Sequence, residues 1–256
     1  LKNSSGIVFV GSRPPVSFFA YPGKESYLTP KESKIVILSS PEQNGLFALN
    51  CLVDETDAQK IDKQFLQSKI DDIPKSGKLD ASNLGLLISN LMPEDSIVSD
   101  EAATSSFLVT PHALKAKPHD WLCLTGGSIG QGLPLAIGAA IAKPDRPVIT
   151  LHGDGGAMYT VQALWTQARE NLNITNIIFA NHSYEILKIE LSRVGAVKTG
   201  DRADSMFSLD NPKLDWIKLS ESMGVPCYEP NTVEEFKKIF SACVKEAGPS
   251  TILVQI

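Results

Sequence analysis

The chain has 256 residues, 43% of them hydrophobic and 21% charged, with a formal net charge of −5. That apolar share is ample for a packed core in one or two domains. The acidic balance, with no basic stripe, argues against a nucleic-acid surface, and the longest apolar runs, such as residues 133–142, fall short of a membrane span.

Residues 6–10 and 34–38 read as short buried strands on either side of the loop SRPPVSFFAYPGK, and residues 44–53 as a helix. This is too little for a complete doubly wound domain. DDIPKSGKLD, residues 71–80, is charged, carries Pro and Gly and lacks an apolar period, which marks a linker. It divides the chain near residue 76 into segments 1–75 and 76–256. Helices are then expected at 81–92, at 129–142 after the turn GGSIGQG, at 157–170, at 215–223 before Gly224, and from the Thr232/Glu235 capping box through Lys245. Strands are expected at 96–99, 147–151, 174–180, 225–228 and 251–256. Such alternation predicts an α/β fold, a doubly wound parallel sheet with helices on both faces. Residues 191–212 have weak period over a long stretch and are a candidate lid over a bound ligand.

Cys51, Cys123, Cys227 and Cys243 show no CxxC spacing and read as reduced core thiols, which suits the cytoplasm or another reducing, soluble compartment. Trp121, Trp165 and Trp216 are irregularly spaced and read as core packing. The four histidines form no metal set. His112 and His119 fall in a polar loop, His152 at a strand end, and His182 is the one its neighbours turn towards the site below.

Gly153-Asp154-Gly155 directly follows one buried strand, and Asn181 ends the next. If those strands are parallel neighbours, both side chains emerge at one carboxyl edge, where open α/β folds bind ligands. A carboxylate and an amide, beside glycines that admit a phosphate to the backbone, suit Mg²⁺ held between protein and diphosphate. The plainer alternative is that Asp154 caps the next helix and Asn181 closes a turn. GGSIGQG does not have dinucleotide-turn spacing; Ile129 within it is either a core residue or part of a site. The hydroxyl cluster SDEAATSS, residues 99–106, suits phosphate oxygens, though Asp100 reads equally well as a cap.

The stretch GDGGAMYTVQALWTQARENLNITNIIFANHSYEIL resembles the fingerprint of the thiamine-diphosphate enzymes, GDG followed one α/β unit later by an Asn, usually doubled. Here Ala180 replaces the first of that pair. PVSFFAYPGK, SDEAATSS, DWLCLTGGSIGQGLPLAIGAA and LDWIKLSESMGV extend the likeness over essentially the whole chain, most closely to acetolactate synthase large subunit-like proteins, with benzoylformate decarboxylase as a near relative. The resemblance implies thiamine diphosphate and Mg²⁺ as cofactors, with Asp154, Asn181 and the Ser183 carbonyl as metal ligands. It implies Ala103, Thr104, Gly153, Gly155, Gly156 and Ala157 around the diphosphate, Asn181, Ser183 and Tyr184 beside it, Gly127 at the aminopyrimidine, and Ile129 holding the cofactor's rings apart. It further implies a 2-keto acid substrate, a homodimer or homotetramer, and residues 1–75 as the tail of a central domain. The activating Glu would lie in an amino-terminal pyrimidine-binding domain absent from this chain and come from a partner subunit, so no catalytic residue is named here. Carboligase, simple decarboxylase and non-catalytic cofactor-binding fragment all remain open. The loop in which benzoylformate decarboxylase carries a catalytic His reads SFFAYPGK, without one.

Overall fold

Successive side chains of a strand leave on opposite faces, and the buried residues of the central strands sort accordingly into separate clusters. Ile149, Leu151, Ile177, Phe179, Ile252 and Val254 belong to one; Ile178, Ala180 and Leu253 belong to another. Both faces are therefore apolar and both must be covered. In the computed structural model, which describes residues 1, 3–59, 72–196 and 200–256, helices cover each.

The chain divides into two compact units, residues 1–66 with 190–197, and 67–189 with 198–256. In the first, β1 (Gly6–Val10) pairs in parallel with β2 (Lys34–Ser39), and α1 (Gly45–Thr56) begins where Asn44 Oδ1 accepts the Phe47 N–H. No residue of α1 is buried.

The second unit carries α2 (Ala81–Leu91), β3 (Ile97–Glu101), α3 (Ser106–Ala113), β4 (Asp120–Cys123), α4 (Gly132–Ala142), β5 (Val148–Gly153), α5 (Asp154–Ala157), α6 (Ala163–Arg169), β6 (Ile174–Ala180), α7 (Glu185–Arg193, its last residues falling in the first unit), α8 (Asp201–Ser205), α9 (Trp216–Ser222), β7 (Cys227–Tyr228), α10 (Val233–Cys243) and β8 (Ser250–Gln255). Its six strands are all parallel, in the order β4-β3-β5-β6-β8-β7. Leu84, Leu87 and Ile88 of α2 pack with Phe236 and Phe240 of α10 on one face, the two Phe rings stacked 5.6 Å apart. Leu133, Leu164 and Trp216, from α4, α6 and α9, cover the other. Truncating a fully buried Phe such as Phe240 to Ala would cost about 3–5 kcal/mol. Thr232 and Glu235 form the expected capping box.

The doubly wound parallel sheet is as expected; several local readings are corrected. The helix expected at 157–170 is three pieces, α5, a 3₁₀ turn at Met158–Thr160 and α6. β4 and α3 have no counterpart in the sequence reading, and His112 belongs to α3, not to a loop. Cys51 and Cys123 are exposed, because α1 has no buried face and Cys123 ends the edge strand; only Cys243 of the four is buried. Burial pushes the Cys227 thiol up to about 12. Trp165 is 52% exposed and lies under the Arg169 guanidinium. Of the expected linker, Asp71 lies outside the described residues, as do 197–199 of the expected lid. Within the rest of that segment α7 runs to Arg193 and α8 occupies Asp201–Ser205, while residues 194–196 and 206–212 carry neither helix nor strand.

Candidate functional site

From β3 the chain turns outward to β4, and from β5 it turns the opposite way to β6, so the loops leaving β3 and β5 part from each other. Open α/β sheets bind ligands at such a switch point. A pocket of about 100 Å³ opens there. Its walls are residues 101–105 after β3, Leu124 and Ile129 before α4, residues 153–156 and Tyr159 after β5, and Asn181 with residues 183–187 after β6.

Asp154 opens α5 and is 1% exposed. It is not a cap; Gly153 holds that position, and the carboxylate instead reaches across to the loop after β6. Its Oδ1 accepts the Gly155 N–H at 2.9 Å and its Oδ2 the His182 N–H at 2.9 Å. Burial pushes this carboxyl above the ordinary aspartate value, and the two N–H donors oppose that only in part. A cation beside the carboxylate would offset the same burial cost.

Asn181 does close a turn, its Oδ1 accepting the Ser183 N–H at 3.0 Å, yet it still lines the pocket. Between them His182 is held in the left-handed region at φ 52°, and Ala103 across the pocket at φ 50°. Such backbone costs on the order of 1 kcal/mol per residue and collects at ligand sites. The Tyr184 N–H donates to the Phe207 carbonyl and the Leu209 N–H to the His182 carbonyl, so the far end of the expected lid is fastened to this loop.

The glycine turn is stitched down on the opposite side. Gly126, Gly127 and Gly130 all take positive φ, which a side chain would resist. The Gly130 and Gly132 N–H groups each donate to Glu101, both at 2.5 Å, and Ser99 Oγ donates to the Gly132 carbonyl. Burial alone would raise the Glu101 carboxyl; His152 and these N–H donors outweigh it and hold it below the ordinary value. Asp100 is not a helix cap, since Ala102 and Ser105 hold those positions; its Oδ1 instead closes the turn after β3, accepting from the Ala102 N–H and Ser106 Oγ.

Ala103, Thr104, Ile129, Gly153, Asp154, Gly155, Gly156, Asn181, Ser183 and Tyr184 thus meet at one pocket. Ile129 is 43% exposed and is no core residue. Two residues of the expected set do not line the pocket. Ala157 is fully buried in the core, and Gly127, at φ 69°, shapes the turn that carries Ile129. Ala180 is also core, packed with Leu133. Glu101 and the first turn of α7, Glu185 to Leu187, had been given no role from the sequence; a carboxylate at a strand end on the apolar side was the available signal for Glu101.

Among the described residues no three His, Cys, Asp or Glu gather as a metal cluster. A cation here would rely on one carboxylate, one amide, a backbone carbonyl and the ligand's own oxygens. That all-oxygen set fits Mg²⁺ on a diphosphate and not a thiolate- or imidazole-bound transition metal. The residues present therefore fit the implied pair of cofactors.

Residues 103–254 match the family model described as thiamine pyrophosphate enzyme, C-terminal TPP binding domain. A Mycobacterium tuberculosis protein provisionally named acetolactate synthase large subunit is 42% identical over 251 residues, 98% of this chain and 48% of its own length. Benzoylformate decarboxylase of Pseudomonas aeruginosa is 30% identical over 151 residues, 59% of this chain and 27% of that protein. The thiamine diphosphate-dependent 4-hydroxybenzoylformate decarboxylase of Rhodococcus jostii RHA1 shares the fold, with a TM-score of 0.75 at 23% identity over 98% of this chain and 48% of that one. The chain spans about half the length, or less, of these relatives. No described helix is long and apolar enough to cross a membrane. The fold, the switch-point pocket and the match over residues 103–254 agree: this chain belongs to the thiamine pyrophosphate enzymes and carries their C-terminal TPP binding domain.

Proposed function

We propose that the chain is the diphosphate- and magnesium-holding part of an enzyme that decarboxylates 2-keto acids and joins the retained fragment to a second carbonyl, as acetolactate synthases do. The observation that carries this reading is the meeting of Asp154, Asn181 and Ser183 at one pocket with the 153–156 turn. The 42% identical relative and the missing His in SFFAYPGK favour carboligation over simple decarboxylation.

In this reading Asp154, the Asn181 amide oxygen and the Ser183 carbonyl hold Mg²⁺. Ala103, Thr104 and the backbone of residues 153–156 surround the diphosphate, with Tyr184 beside it. Ile129, carried by the turn that Gly127 shapes, offers the cofactor's rings an apolar ledge, and Leu124, Ile186 and Leu187 help keep water out. Bound there, thiamine diphosphate supplies the nucleophilic carbon and electron sink that loss of CO₂ requires. The activating Glu belongs to a pyrimidine-binding domain outside this chain and reaches the pocket from a partner subunit of a homodimer or homotetramer.

Calorimetry on the full-length protein with thiamine diphosphate, with and without Mg²⁺, tests the cofactor reading; binding indifferent to Mg²⁺ refutes it. Product analysis with pyruvate, benzoylformate and branched 2-keto acids tests the rest. Acetolactate-type products support the carboligase, aldehydes alone replace it with a decarboxylase, and binding without turnover replaces both with a cofactor-binding protein.

A further inference from the structure

Glu101 and His152 are register partners on adjacent parallel strands, and both point to the face covered by α4. Their side chains are 2% and 0% exposed, with His152 Nε2 3.4 Å from Glu101 Oε2. A buried carboxylate at this depth needs compensation from every side. It has His152 behind it and two converging backbone donors in front, Gly130 to Oε1 and Gly132 to Oε2. The approach is close enough to dictate a residue. A Cβ on Gly132 would stand 2.7 Å from His152 Nε2 and 2.9 Å from Glu101 Cβ. A Cβ on Gly156, in the turn after Asp154, would stand 3.4 Å from Glu101 Oε1 and 3.5 Å from His152 Nδ1. One side chain therefore bonds the turn that carries Ile129, comes close enough to the turn that carries Asp154 for a methyl added at Gly156 to meet it, and itself lines the pocket between them.

We infer that Glu101 is a positioning residue: its carboxylate, backed by His152, fixes the Ile129 turn relative to the Asp154 turn and so sets the gap into which the ring portion of the ligand fits. This rests on the thiamine diphosphate reading of the pocket. The diphosphate end, held by Asp154 and the 153–156 backbone, does not depend on the Ile129 turn. Loosening Glu101 should therefore be felt by the rings and not by the diphosphate.

Glu101→Gln supplies one oxygen and one NH₂ to two N–H donors, so one bond is lost without loss of volume. In the full-length protein with Mg²⁺, calorimetry should show thiamine diphosphate affinity falling by about tenfold or more, while inorganic diphosphate affinity stays within about twofold of wild type. Gly132→Ala, which displaces the carboxylate from the other side, should produce the same split. Equal losses for both ligands, or none for either, overturn the inference. Should the variants fail to fold, hydrogen–deuterium exchange on the wild type decides. The Gly130 and Gly132 amides should exchange as slowly as those of β3 without any ligand, and fast exchange there overturns the clamp. A wild type that binds inorganic diphosphate but not thiamine diphosphate would defeat the cofactor reading, leaving the exchange result to judge Glu101.

Discussion

Two buried polar regions lie on the same sheet. At its middle, Asn176 accepts from Thr150 Oγ1 and Gln167 Nε2 and donates to Gln167 Oε1 and the Ser250 carbonyl, at 2.8–3.2 Å. Both functional atoms of its amide are used twice. At the carboxyl edge, His182 Nδ1 makes no hydrogen bond, Asp154 sits buried at a cost, and two non-glycine residues hold positive φ. The first region is built to be finished; the second is left with electrostatic and conformational cost for a ligand to relieve. The polar residues alone do not distinguish them. Their satisfaction does.

If that contrast is right, Asn176→Ala should give the largest stability loss, about 3 kcal/mol or more, since it strands Gln167, Thr150 and the Ser250 carbonyl in the interior. Chemical denaturation measures it, and the folded fraction should bind thiamine diphosphate as wild type does. Asp154→Ala should do the reverse. Cofactor affinity with Mg²⁺ should fall at least tenfold, about 1.4 kcal/mol, by calorimetry, with a smaller stability change than Asn176→Ala because loss of the buried charge and loss of the acceptor for the Gly155 and His182 N–H groups oppose each other. Unchanged affinity in a folded variant would remove Asp154 from the site. Ile129→Ala should shift stability by no more than about 0.5 kcal/mol, because the side chain is half exposed, yet lower turnover of the full-length enzyme. A core residue would show the opposite pattern in a thermal melt with activity assay.

The smallest effect is a pair of opposed pH slopes in the ligand-free melting temperature. The Glu101 carboxyl lies below its ordinary value when folded, so its contribution is complete above the ordinary glutamate range and lost as pH falls through the lowered value. The Asp154 carboxyl lies above its ordinary value, so folded stability is lost as pH rises through the raised value. Glu101→Gln should flatten the acid limb and Asp154→Asn the rising one. Identical profiles for both variants would contradict the assignment of cause.

What could be read from the sequence was what local pattern determines. The apolar run of β6, the Thr232/Glu235 cap and the Gly224 stop each depend on neighbours in the chain, and each appears where expected. β4 was missed because Asp120–Cys123 is only four residues long, an edge strand with one neighbour and little burial. The break between α5 and α6 was missed because helical period continues through Met158 and Tyr159 while the backbone tightens to 3₁₀. At the site, Asp154 and Asn181 were found as a pair because one α/β unit separates them. Glu101 stayed without a role because its partners are 29 and 31 residues away and are backbone groups, which no side-chain motif announces.

The crevice between β3 and β5 exists because the chain leaves those strands in opposite directions, not because of any side chain in it. Individual groups can therefore drift while the place where a ligand enters stays put. Ala180 illustrates the point: where the thiamine-diphosphate fingerprint usually has an amide, a methyl group packs into the core, and Asn181 after it still closes its turn beside the pocket. A scaffold of this kind can change or lose its chemistry in small steps without losing its address for a diphosphate.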